Sequence, residues 1–187
     1  QFEKGEELIP NIKKGLWKFR MALDGEGKVY FYFEVAKLLF HINKLDDAME
    51  WVSEVDAYEK QTGSDGLICY ARILKLFIYY DLGDSYFDLL QYEIKSTKRF
   101  LQKKKRYYQV EETILKYLYR LVSTSSIDLT KELYVKFRTE LRYLMQQKFE
   151  ESASSYLGLT YWLDSKIEQV PLKEVLVRDW KLNHSRR

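Results

Sequence analysis

In YFYFEVAKLLFHI, residues 30–42, the positions Tyr32, Val35, Ala36, Leu39 and Ile42 recur at spacings of three and four, the period of one helix face. Glu34 and Lys37 fall off that face. The run meets Asn43, the residue besides glycine that most easily takes the left-handed backbone conformation ending a helix. Three residues after Ile42 a second periodic run begins, with Leu45, Ala48, Met49, Val52 and Val55 on one face and Asp46, Asp47, Glu50 and Glu54 on another. Two amphipathic helices joined by so short a turn must pack antiparallel. Only 8 Gly and 2 Pro among 187 residues leave few other places to break an element, so long helices separated by tight stops dominate what this chain can build.

The same grammar returns. From Gly66 the chain reads as helix, stops and restarts at Gly83 and Asp84, and continues with Leu90, Ile94, Thr97 and Leu101 on one stripe. Val110, Ile114, Leu118 and Leu121 then precede a Ser/Thr turn from Ser123 to Ser126, with Leu129, Leu133, Phe137, Leu141 and Leu144 beyond it. At the front, Ile12, Leu16, Phe19 and Leu23 make one more helix, closed by a flexible DGEGK. A further helix is expected from about Phe149 to Ile167, and Pro171 opens a last one as its first-turn proline. The expectation is an all-α chain of about nine helices, with pairs near 29–62, 66–103 and 106–147 and capping helices over 149–180. Residues 1–187 read as a single helical-repeat domain, and the start at Gln1 rather than Met reads as a cut from a longer chain.

Ala36 midway along one helix, Asn43 at the turn and Ala48 early in the next, with Tyr32 and Val35, resemble the tetratricopeptide repeat, in which small side chains let paired helices approach closely. The resemblance covers about one repeat, residues 29–62, and the chain is similar to uncharacterised bacterial helical-repeat proteins. It implies a right-handed array of antiparallel helix pairs, an α-α superhelix that serves as a scaffold for protein binding. Carrying the family's groove onto the best-matched pair implies a concave surface of Tyr30, Phe33, Lys37 and Phe40. On the next pair the same face holds Tyr70, Ile73, Phe77 and Tyr80. With 16 Tyr and 10 Phe, the chain has aromatic side chains to spare for such a groove, which would take an extended peptide or a helix.

The most conspicuous charge feature is KSTKRFLQKKKRYYQ, residues 95–109. Lys95, Lys98, Arg99 and Arg106 lie along one helix side, and Lys103, Lys104, Lys105 and Arg106 fall at an expected helix junction, where cations interact well with exposed carbonyls. The alternative function is a nucleic-acid or phosphate-binding module using this segment, with Tyr107 and Tyr108 for stacking. A net charge of +3 does not favour nucleic acid. An acidic stretch, Asp46, Asp47, Glu50, Glu54, Asp56 and Glu59, balances the basic one.

Catalytic patterns are missing. His41 and His184 have no HxxxH or HExxH partner, and there is no Gly-rich phosphate loop or GxSxG elbow. Glu111 and Glu112, like Glu150 and Glu151, point about 100° apart on a helix and read as surface charge. The expectation is therefore a non-enzyme with no cofactor and no metal, whose partner is a protein or peptide, with self-association left open. A lone Cys69 among apolar neighbours suits a buried thiol in a reducing compartment, and no run of 18 apolar residues occurs, so a cytoplasmic location is expected.

Overall fold

The computed structural model describes residues 2–19, 21–59, 65–146 and 157–184. Among them are nine α-helices: α1 Phe2–Lys18, α2 Gly25–His41, α3 Leu45–Glu54, α4 Asp65–Leu82, α5 Phe87–Lys103, α6 Gln109–Val122, α7 Ile127–Met145, α8 Leu159–Glu168 and α9 Leu172–His184. Two short 3-10 turns, Val55–Tyr58 and Asp84–Tyr86, complete the regular structure, and no strand occurs among the described residues. The first part of the helix expected from Phe149, together with Glu150 and Glu151, lies outside the described residues. The chain divides into two compact units, Gln1–Asp81 and Leu82–Arg187. That boundary falls within the expected pair at 66–103.

In the first unit α2 and α3 form the antiparallel pair that the sequence announces. Asn43 stands at φ 62°, and the Lys44 N–H donates to Leu39 O while the Asn43 N–H donates to Phe40 O. These nested bonds satisfy carbonyls that the end of a helix otherwise leaves bare. Ala36 and Ala48 are both fully buried, so their small side chains sit where a larger one would hold the backbones apart. The start of α2 departs from expectation. Gly25 and Gly27 are not a flexible closure: the Asp24 carboxylate accepts a 2.7 Å hydrogen bond from the Gly27 N–H and begins the helix there. Correspondingly α1 ends at Lys18, and Phe19 lies in the following turn, exposed rather than on a core stripe. Two residues of the acidic stretch are tied to α4, Asp56 by Lys75 at 2.9 Å and Glu59 by Arg72 at 2.7 Å. Cys69, also on α4, is buried.

In the second unit the expected stripes of α5 and α6 are buried throughout, and α7 buries its own except Leu129. Gly83, at φ 97°, marks the stop before α5, and Ser126 caps α7 by accepting from the Leu129 N–H. Glu111 corrects a sequence expectation. It is 3% exposed rather than surface charge, because its carboxylate turns back to accept the Tyr108 N–H at the start of α6. Between α6 and α7, Glu140 accepts from Thr113, Lys116 and Tyr117, at 3.2, 2.6 and 2.8 Å. Asp164 on α8 accepts from Arg138 and Arg142 of α7 at 2.8 Å each.

Candidate functional site

The groove residues implied by the repeat resemblance are not presented as one open surface. Phe33 is 0% exposed and Phe40 2%, and Ile73 and Phe77 are likewise core. Of the rest, Tyr30 is exposed, Tyr70 and Tyr80 are half-buried, and Lys37 is half-buried with its ammonium 2.9 Å from Glu34 and over the Phe33 ring. The reason is geometric. At 100° per residue, Val29, Phe33, Ala36 and Phe40 share one side of α2 and Lys28, Tyr32, Val35 and Leu39 the adjoining side. Both sides are largely apolar, and the fold buries them save for Lys28 and Tyr32, which are half-buried.

An open aromatic cleft exists elsewhere in the same unit. It has a volume of about 560 Å³ and is formed by α1, α2, α3 and the 3-10 turn after α3. Its walls are Trp17 and Leu16 from α1, Tyr32 from α2, Trp51 from α3 and Tyr58 from the turn, with Met21 at its mouth. Tyr32 is the middle of a ring cluster, with centroids 5.8 Å from Trp51 and 6.1 Å from Tyr58. Burial, then Tyr58 and the charge of Glu54, push the Tyr32 phenol above its ordinary value. Trp17 is 71% exposed and Met21 92%, an unusual outlay of large apolar surface on a small unit. Lys13, Lys28, Glu50 and Glu54 rim the cleft, with Lys13 3.3 Å from Glu50.

Of the cleft's four rings only Tyr32 belongs to a stripe in the sequence, where it reads as core, as does Leu16, while Glu50 and Glu54 belong to the acidic stretch. The usable signal was Trp17 and Met21, a helical turn apart and both off the Leu16 stripe. Trp51 and Tyr58 carry no such signal, because what brings them to Tyr32 is the antiparallel return of the chain.

The basic segment is spread over several surroundings. Lys95 and Lys98 line a second cleft, of about 690 Å³, with Tyr107, Glu112, Lys116, Tyr119, Arg120 and Glu140. Lys98 lies 5.5 Å from the centre of the Tyr107 ring. Arg99, Lys103 and Arg106 are exposed, and Lys104 rests over Phe100. Lys105 takes a left-handed conformation, φ 55°, at the end of α5, so the junction expected at 103–106 is present. Tyr108 is exposed.

His41 occupies the last turn of α2. Among the described residues no three His, Cys, Asp or Glu side chains are grouped so as to hold a metal ion. No helix of the described residues is long and apolar enough to cross a membrane. Comparison of the chain with protein families, curated proteins and solved structures gives no match.

Proposed function

We propose that this chain is a non-catalytic protein-binding module, with α2 and α3 as its tetratricopeptide-like pair and the aromatic cleft beside them as its docking site. The supporting observation is Trp17 standing exposed on the wall of a cleft that also holds Tyr32, Trp51 and Tyr58. Exposed tryptophan and methionine beside a concave aromatic surface are the composition of interface centres, where a few large side chains carry most of the binding energy. Such a cleft takes a few side chains of an extended or helical segment rather than a whole folded face.

Selection from a displayed random-peptide library on the whole chain tests this reading. Peptides that bind should lose about tenfold or more of their affinity on the Trp17→Ala variant, while its melting temperature stays at the parent value. A library that yields no binder, or binders indifferent to Trp17, sinks the proposal.

The second cleft supports a different reading, a phosphate-bearing ligand held by Lys95, Lys98 and Arg120 beside Tyr107 and Tyr119. Its mark is affinity for single-stranded RNA that falls steeply with salt and is abolished by Lys95→Glu with Lys98→Glu.

A further inference from the structure

The aromatic cleft is already used by cations, and they come from its own chain. The Lys13 ammonium lies 6.0 Å from the centre of the Trp51 ring while pairing with Glu50, and the Lys28 ammonium lies 5.9 Å from the centre of the Tyr58 ring. Each of these lysines extends from the rim towards a ring whose π face is negative, the attraction that draws ammonium groups to aromatic cages. Glu50 and Glu54 stand one turn apart on α3, and with Asp46 and Asp47 they make the exposed face of that helix acidic beside Trp51. On the α1 side the rim is basic, with Lys13, Lys14 and Lys18 around Trp17. A cationic partner group is thus favoured along the α3 side and disfavoured along α1.

We infer that the cleft is a cage for the ammonium group of a lysine side chain on a protein partner, which takes the place of Lys13 between the Trp51 ring and the Glu50 carboxylate. This rests on the reading of the cleft as a docking site and names the chemistry of what docks. Tyr32, whose ring packs against those of Trp51 and Tyr58, supplies with them the aromatic faces on which the ammonium and the methylenes of the lysine stem would rest. Glu50, released by Lys13, and Glu54 supply the counter-charge. An anionic side chain would meet both carboxylates, and an aliphatic one would use the rings but gain nothing from Glu54, with Glu50 still held by Lys13.

The test titrates the whole chain with Nα-acetyl-lysine amide, its Nε-trimethyl form and acetyl-norleucine amide, following the indole N–H resonances by NMR. Both cationic probes should shift the Trp51 resonance and bind at least about threefold more tightly than norleucine, which keeps the four-carbon stem without the ammonium. Lys13→Gln removes the internal competitor and should tighten the lysine probe about twofold to fivefold, leaving norleucine unchanged. Glu54→Gln should weaken both cationic probes and leave norleucine unchanged. If norleucine binds as well as lysine, or Lys13→Gln leaves lysine binding unchanged or weaker, the cage is wrong. Peptides selected through Trp17 but lacking any lysine would overturn the cage while sparing the docking site; failure of the peptide selection with preserved lysine binding would do the reverse.

Discussion

Tyr117 lies flat against Phe137, ring centroids 4.8 Å apart and planes 5° from parallel, while its hydroxyl donates to Glu140 at 2.8 Å. Burial, then the bond to Glu140, push the phenol up to about 12. A tyrosine raised in this way favours folding fully below its unfolded value of about 10, and the contribution is lost as pH climbs through 12. Alkaline titration followed at 295 nm should show a tyrosine ionising at about 12 that disappears in Tyr117→Phe. The Glu140 carboxylate answers in the opposite direction. Burial would raise it, but bonds from Lys116 and Tyr117 outweigh that and hold it below the usual carboxylate range, so its contribution is lost only as pH falls through that lowered value.

Asp164 should be the costliest surface-adjacent carboxylate to remove. It is 8% exposed and accepts from two arginines of the neighbouring helix, so Asp164→Ala leaves Arg138 without its acceptor and should cost about 1 to 3 kcal/mol by urea denaturation. Glu168, bound by both Arg178 nitrogens at 2.7 and 2.8 Å but exposed, offers the control. Glu168→Gln should move the midpoint far less, because water replaces what is lost.

Backbone conformation separates two positions that both stand at positive φ. At Gly83, φ 97° and ψ −170° lie in a region nearly closed to side chains, although open space surrounds the position where a Cβ would stand. Gly83→Ala should therefore cost about 1 to 3 kcal/mol from the backbone alone. Lys105 is the converse. A left-handed residue other than glycine is strained by about 1 to 2 kcal/mol, and glycine returns about 0.5 to 1 kcal/mol of that in chain entropy, so Lys105→Gly should raise stability by about 0.5 to 1 kcal/mol. Thermal melts of the two variants should move in opposite directions.

Phe33 and Trp17 invert what aromatic spacing alone suggests. Phe33→Ala opens a cavity in a fully buried position and should cost about 3 to 5 kcal/mol, whereas Trp17→Ala should stay within about 0.5 kcal/mol of the parent. Ala48→Trp, which forces a large ring into the α2–α3 contact, should cost about 1 to 3 kcal/mol or more. Chemical denaturation of the three variants checks this ordering.

Helix existence and stops were legible because they are local. Asn43, Gly83 and Ser126 announce themselves by residue type, and the stripes of α5 and α6 by period. Lys105 and Gln169 take left-handed conformations with no such mark, held by backbone bonds such as Arg106 N–H to Leu101 O and Val170 N–H to Ser165 O, which residue type does not announce. The opening of α2 was misread because paired glycines resemble a linker until Asp24 is seen to cap them. The cleft was illegible for a different reason. Trp17, Tyr32 and Trp51 stand on three helices, and periodicity within one helix says nothing about which rings meet across two.

Leu16 is the one buried residue of α1, whose remaining ties include ion pairs from Lys13 to Glu50 and from Lys44 to Glu6, both at exposed side chains. Exposed pairs of this kind are weak and screened by salt. The helix that carries Trp17 is thus the loosest wall of the cleft, and the apparent affinity for any occupant equals the intrinsic one scaled by the fraction of time α1 is seated. Each such pair contributes about 1 kcal/mol or less, so raising ionic strength lowers that fraction only modestly, and does so even where the partner itself carries no charge.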